Sequence, residues 1–103
     1  MVRITETVVK KWLADVPGEK YFWCSDGRVL KSLPELEAAL KEMSEETFRY
    51  HSNEVKNDFC NWVNDVVGDE KLARDLRKSA NRTQAARILA DRIAWLKGKK
   101  EAG

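Results

Sequence analysis

The residue types able to do chemistry crowd into one stretch, His51-Ser52-Asn53-Glu54-Val55-Lys56-Asn57-Asp58-Phe59-Cys60-Asn61-Trp62, which holds the only histidine and one of two cysteines. Nucleophilic catalysis needs a thiol or hydroxyl beside a positioned base. Cys60 and His51 lie nine residues apart and fall on different sides of a helix. Zinc would draw on Cys24, Cys60, His51 and Asp58, but zinc ligands usually come as close pairs, and neither C-x-x-C nor H-x-x-x-H occurs. Asn61 to Glu70 lacks the acidic spacing and central glycine of a calcium loop. No glycine-rich loop is present to cradle phosphate. The spacing therefore predicts no catalytic residues, no metal site and no cofactor, and leaves recognition as the chemistry to explain.

The elements that must carry this stretch read as helices. The apolar phase from Phe48 through Val55, Phe59, Trp62, Val63 and Val66 stays on one side at 100° per residue. It predicts one long helix over 45–67, with a bend near Ser52-Asn53 as the variant. On that helix His51, Val55, Asp58 and Trp62 form one column, and Asn53, Asn57, Asn61 and Asn64 a second. A His51–Asp58 bond would then require the helix to break, since seven residues rise ~10.5 Å. Asparagine in a helix interior costs roughly 0.5–0.7 kcal/mol relative to alanine. A stripe of them calls for compensation, from the domain's own loops or from a partner.

The rest of the chain follows familiar punctuation. Val8, Val9, Trp12, Leu13 and Val16 predict a first helix, capped by Thr5 or Thr7 and stopped by Pro17-Gly18. Tyr21-Phe22-Trp23-Cys24 and Val29-Leu30-Lys31 flank Asp26-Gly27, a hairpin signal. Ser32-Leu33-Pro34-Glu35 is a capping box, and Met43 and Phe48 bracket Ser44 as a hydrophobic staple. Gly68 stops the central helix, Asp69 caps a short one, and Asn81-Arg82-Thr83-Gln84 opens the last. Asn81-Arg82-Thr83 also matches a glycosylation sequon, but a helix cap accounts for it. The expected fold is mainly α with a minor β component: about five helices and one short β-hairpin near residues 21–31. Residues 1–98 form a single domain and 99–103 a frayed tail.

Charge is uneven. Residues 1–68 carry 9 Lys/Arg against 12 Asp/Glu, and residues 69–103 carry 10 against 5. Arg74, Arg77, Lys78, Arg82, Arg87 and Arg92 are the cations that a nucleic-acid-binding role would use, on a short helix, turn and longer helix comparable with a helix-turn-helix. No apolar run reaches the ~20 residues of a membrane span, and the N-terminus lacks the apolar stretch of a signal peptide. The expected location is cytoplasmic. Cys24 and Cys60 are then free thiols, with a single disulfide as the alternative in a hyperthermophilic host.

The run from Tyr21 to Leu76 resembles a family of small uncharacterised archaeal and bacterial domains. The matching positions are Asp26, Gly27, Phe48, His51, Asn57, Asp58, Phe59, Asn61, Trp62, Asp65, Gly68, Asp69, Leu72 and Ala73. The resemblance implies membership and transfers no activity. Cys24 and Cys60 fall outside the pattern. The expected function is a non-catalytic binding or adaptor domain that contacts another protein through His51, Asn57, Asp58, Asn61 and Trp62. The alternative is nucleic-acid binding through the basic C-terminal helices.

Overall fold

The computed structural model describes the backbone of residues 4–102 and the side chains of residues 4–99. The fold is mainly α with one small hairpin. Six α-helices run α1 (Glu6–Leu13), α2 (Leu33–Glu42), α3 (Glu45–His51), α4 (Asp58–Trp62), α5 (Glu70–Arg77) and α6 (Arg82–Ala102). Strands β1 (Phe22–Trp23) and β2 (Val29–Leu30) pair antiparallel, Phe22 opposite Leu30. Gly27 supplies the positive φ of the connecting turn, 97°. The predicted caps form: Thr5, Ser32, Ser44, Asp69 and Asn81 each accept a backbone N–H from the first turn of their helix. Met43 and Phe48 are both buried, as a staple requires.

Helix α6 is the spine. It packs against α1, α2 and α5 through Ala85, Ala86, Leu89, Ile93 and Leu96, and continues to Ala102, into the segment expected to be a frayed tail. Leu33, Leu36, Leu40, Val63, Leu72 and Leu76 complete the centre of the core.

The predicted long helix over 45–67 is corrected. It stops at His51, and six residues of loop separate it from α4. The cause is competition from side chains. Asn53 donates to the carbonyl of Arg49 (2.8 Å) and accepts from the amides of Val55 (2.9 Å) and Lys56 (3.2 Å). Asn57 caps α4 by accepting from the Cys60 amide at 2.9 Å. These local bonds offer the backbone an alternative to the helical ladder. Ser52 and Asn57 close the loop as an isolated bridge, and the Asn53 amide donates to the Lys56 carbonyl at 2.8 Å. Val55, placed by periodicity on the apolar face, is 93% exposed. After α4 the chain makes a π-helical turn, Val63–Val67, and ends on Gly68 with φ 96°. A Cβ there would sit 3.4 Å from Trp12 Nε1, so the glycine serves both the left-handed stop and the close approach of α1.

Candidate functional site

The break in the helix brings His51 and Asp58 together. His51 ends α3 and Asp58 begins α4, and His51 Nδ1 lies 3.0 Å from Asp58 Oδ2. His51 Nε2 accepts the backbone N–H of Ser25 at 3.0 Å. A ring nitrogen that accepts carries no proton, so the proton sits on Nδ1 and is donated to the carboxylate. The ring is packed among Phe22, Tyr50 and Phe59, with centroids 5.1, 4.9 and 5.4 Å away. Lys56 Nζ reaches the same Asp58 oxygen at 3.0 Å and lies 4.6 Å from the centre of the Tyr50 ring. One imidazole thus joins the hairpin turn, α3 and α4.

An aspartate–histidine pair invites comparison with a catalytic dyad, but a general base needs a free lone pair at Nε2. Here that lone pair holds the Ser25 amide. What the arrangement does chemically is clamp the two ends of a loop.

The Asp58 carboxyl is partly buried, which alone would raise its pKa. Hydrogen bonds from His51 and Lys56, and the Lys56 charge, outweigh this and hold it below the ordinary value. A carboxyl depressed by folding contributes stability that is present above its unfolded pKa and lost as pH falls through its folded one. Asp26 shares this acid limb: burial would raise its pKa, but hydrogen bonds from the Arg28 amide and the Cys24 thiol, together with the Arg28 charge, hold it below the ordinary value. Asp58→Asn is expected to flatten the loss of stability between about pH 5 and pH 2 without abolishing it. Urea unfolding at a series of pH values measures the slope; an unchanged slope would show that Asp58 titrates alike in both states.

The other predicted contact residues divide sharply. Trp62 is buried, its Nε1 donating to the Lys20 carbonyl at 2.8 Å. Asn57 is half-buried and occupied as a cap. Asn61 alone of the five is exposed. Of the asparagine stripe, Asn53 and Asn57 bond the domain's own loop, while Asn64 donates to the Asp65 carboxylate at 2.9 Å.

The six basic candidates divide in the same way. Arg82 donates to the Leu40 (2.8 Å) and Lys41 (3.0 Å) carbonyls at the end of α2 and to Glu45 (2.9 Å). Arg77 donates to Cys60 Sγ at 3.4 Å, and that thiol donates to the Ala73 carbonyl at 3.0 Å. Arg92 holds Asp69 through two hydrogen bonds of 2.7 and 2.9 Å. Arg74, Lys78 and Arg87 are exposed and enter no ion pair among the described residues. The first turn of α6, which a helix-turn-helix would insert into a groove, is fixed to the α2–α3 junction instead.

Comparison with family models, curated proteins and solved structures found no match. Among the described residues no helix is long and apolar enough to cross a membrane. No group of three or more His, Cys, Asp or Glu there is placed to hold a metal ion. Cys24 and Cys60 are free and buried, and burial pushes the Cys24 thiol up.

Three features of the site escape the sequence. The Ser25 amide has no side-chain signature, so nothing marked it as the partner of His51. The continuous apolar phase puts Val55 inward, whereas the loop turns it out, and nothing in that phase marks Tyr50. In the sequence Asp69 is a cap and Arg92 a nucleic-acid contact, with no motif to pair them. Their spacing across a helix–turn–helix is the signal that could have joined them.

Proposed function

We propose that the protein is a non-catalytic recognition domain that contacts another protein through the 52–57 loop and the adjoining Tyr50 ring. The observation that carries this reading is Val55, 93% exposed at the tip of a loop tied down by Asn53, Asn57 and the His51–Asp58–Lys56 cluster. Loops held on a rigid scaffold are where binding residues concentrate. A loop already fixed in one shape loses little entropy on capture. Tyr50, 59% exposed, adds an aromatic face beside it. A groove of about 520 Å³ runs between the loop and the end of α5, with Val55, Lys56, Arg77 and Ala80 on its walls.

In this reading His51, Asn57, Asp58 and Trp62 hold the surface rather than touch the partner, and Asn61 lies beside it. The absence of catalysis is supported by the occupied Nε2 of His51. The cytoplasm is the proposed location, supported by two free buried thiols. The resemblance to small archaeal and bacterial domains stays a proposal about fold alone. Its matching residues Gly27, Asn57, Phe59, Gly68, Asp69 and Leu72 are turn, cap and core positions. The nucleic-acid reading has weaker support, since Arg77, Arg82 and Arg92 are engaged inside the domain.

The test is affinity capture from the native lysate with the wild type, Val55→Glu and Tyr50→Ala. Val55→Glu alters a side chain that is almost wholly exposed, so its stability should stay within about 0.5 kcal/mol, whereas Tyr50→Ala also removes a ring that packs on His51 and should cost about 1 kcal/mol, too little to unfold the domain. Loss of the same captured protein from both supports the reading. Undiminished capture by both sinks it.

A further inference from the structure

The two nitrogens of the His51 ring are used in opposite senses. Nδ1 donates to Asp58 Oδ2 and Nε2 accepts the Ser25 N–H, each at 3.0 Å. An imidazolium has two N–H donors and no acceptor. A second proton on the ring therefore suits one contact and defeats the other. At Nδ1 the bond to Asp58 becomes charge-assisted and stronger. At Nε2 two N–H groups would point at each other. The charged groups about the ring stand on the α4 side: Asp58 itself, and Lys56, which shares the same carboxylate oxygen at 3.0 Å. Phe22, Tyr50 and Phe59 supply the remaining ring contacts. On the hairpin, Asp26 is taken up by Arg28 at 3.0 Å and by the Cys24 thiol. Among the described residues the hairpin's only hydrogen bond to the ring is the Ser25 N–H.

We infer that His51 is a proton-operated latch, whose second proton releases the hairpin turn while the ring stays bonded to Asp58. The turn is able to come away whole. Its strands pair over only Phe22–Leu30 and Trp23–Val29, a ladder too short to hold it firmly. Its own bonds, from the Gly27 amide to the Cys24 carbonyl at 3.0 Å and from the Arg28 amide to Asp26 at 3.1 Å, do not involve the histidine. Ser25 is exposed, so water can take up its amide once the ring lets go. Phe22 and Leu30 are buried in the core and confine the movement to the turn. His51 is also the last residue of α3, so the proton arrives where the 52–57 loop begins. Capture through that loop would then depend on pH. That consequence alone rests on the proposed function, and the latch is tested without a partner.

Nitrogen-15 NMR tests this by following the His51 ring nitrogens and the exchange of the Ser25 amide from about pH 8 to about pH 4. Exchange rates are divided by those of an unstructured peptide at the same pH. Protection of Ser25 is expected to fall about tenfold over the range in which Nε2 gains its proton, while that of Gly27 holds. Asp58→Asn should keep the step, which separates it from the titration of Asp58. His51→Gln, whose amide oxygen accepts from Ser25 at every pH, should remove it. Protection that does not follow the His51 titration overturns the inference, as does a step that survives in His51→Gln. A ring that stays neutral until the domain unfolds overturns it too. So does simultaneous loss of Gly27 protection, because the hairpin then melts rather than lifts.

Discussion

Replacing Arg92 with methionine is expected to destabilise the domain by about 3–5 kcal/mol, and to lower Tm by about 15–25 °C. Asp69 is fully buried. Its carboxylate takes two hydrogen bonds from one guanidinium and a third from the Leu72 amide at 3.2 Å. Arg92 is itself only 10% exposed in its side chain and lies between two indoles, 5.7 Å from the Trp12 ring centre and 4.5 Å from that of Trp95. Methionine fills much of the same volume between those rings. The loss therefore reports a buried carboxylate deprived of its counter-charge rather than a cavity.

Arg92→Lys should recover part of the loss, since it restores the charge but not the paired geometry of the fork. Arg87→Met, on the exposed side of the same helix, should stay within about 0.5 kcal/mol. Urea unfolding at neutral pH measures all three. A cost for Arg92→Met below about 1 kcal/mol would mean that water reaches Asp69 and the pair contributes little. The pair joins α5 to α6 at the end opposite their connecting turn, so its loss should also loosen the contact between them.

The legible part of this fold is the part written in local chemistry. Ser32, Ser44, Asp69 and Asn81 cap as expected because an N-cap needs only a short polar side chain and the next three residues. Gly27 and Gly68 mark the turns that need positive φ. The apolar positions of α1, α2, α5 and α6 fall inward because periodicity and burial agree there. The central stretch failed for an identifiable reason. Its apolar phase is continuous across 48–66, so periodicity alone joins two helices. The asparagines, read as residues a helix must tolerate, are the residues that end it. Asn53 and Asn57 are cap and turn formers, and their local preference prevailed over the phase at Val55 alone. The His51–Asp58 bond requires a break in the helix, and the loop at 52–57 is that break. Long-range pairs such as His51 with Ser25, Trp62 with Lys20, and Asp69 with Arg92 leave no periodic trace. They appear only once the elements are assembled.

Replacing His51 with phenylalanine should cost about 2–4 kcal/mol, nearly all of it from two unmade hydrogen bonds. Phenylalanine keeps a flat ring against Phe22, Tyr50 and Phe59. It offers no acceptor to the Ser25 amide and no donor to Asp58. His51→Ala adds a cavity to the same loss and should be worse, about 4–5 kcal/mol. His51→Gln separates the contributions, because an amide oxygen near the place of Nε2 can still accept from Ser25. The amide hydrogen of Ser25 reads this directly: slow exchange in the wild type, intermediate with glutamine and fast with phenylalanine. Equal protection in all three would mean that the hairpin turn is held by its own hydrogen bonds, such as the Gly27 amide to the Cys24 carbonyl at 3.0 Å. The same series bears on recognition. If His51 fixes the 52–57 loop in its binding shape, the phenylalanine variant loses stability and capture together, whereas Val55→Glu loses capture alone. A phenylalanine variant that unfolds more easily yet binds as tightly would show that Asn53 and Asn57 shape the loop without help from the histidine.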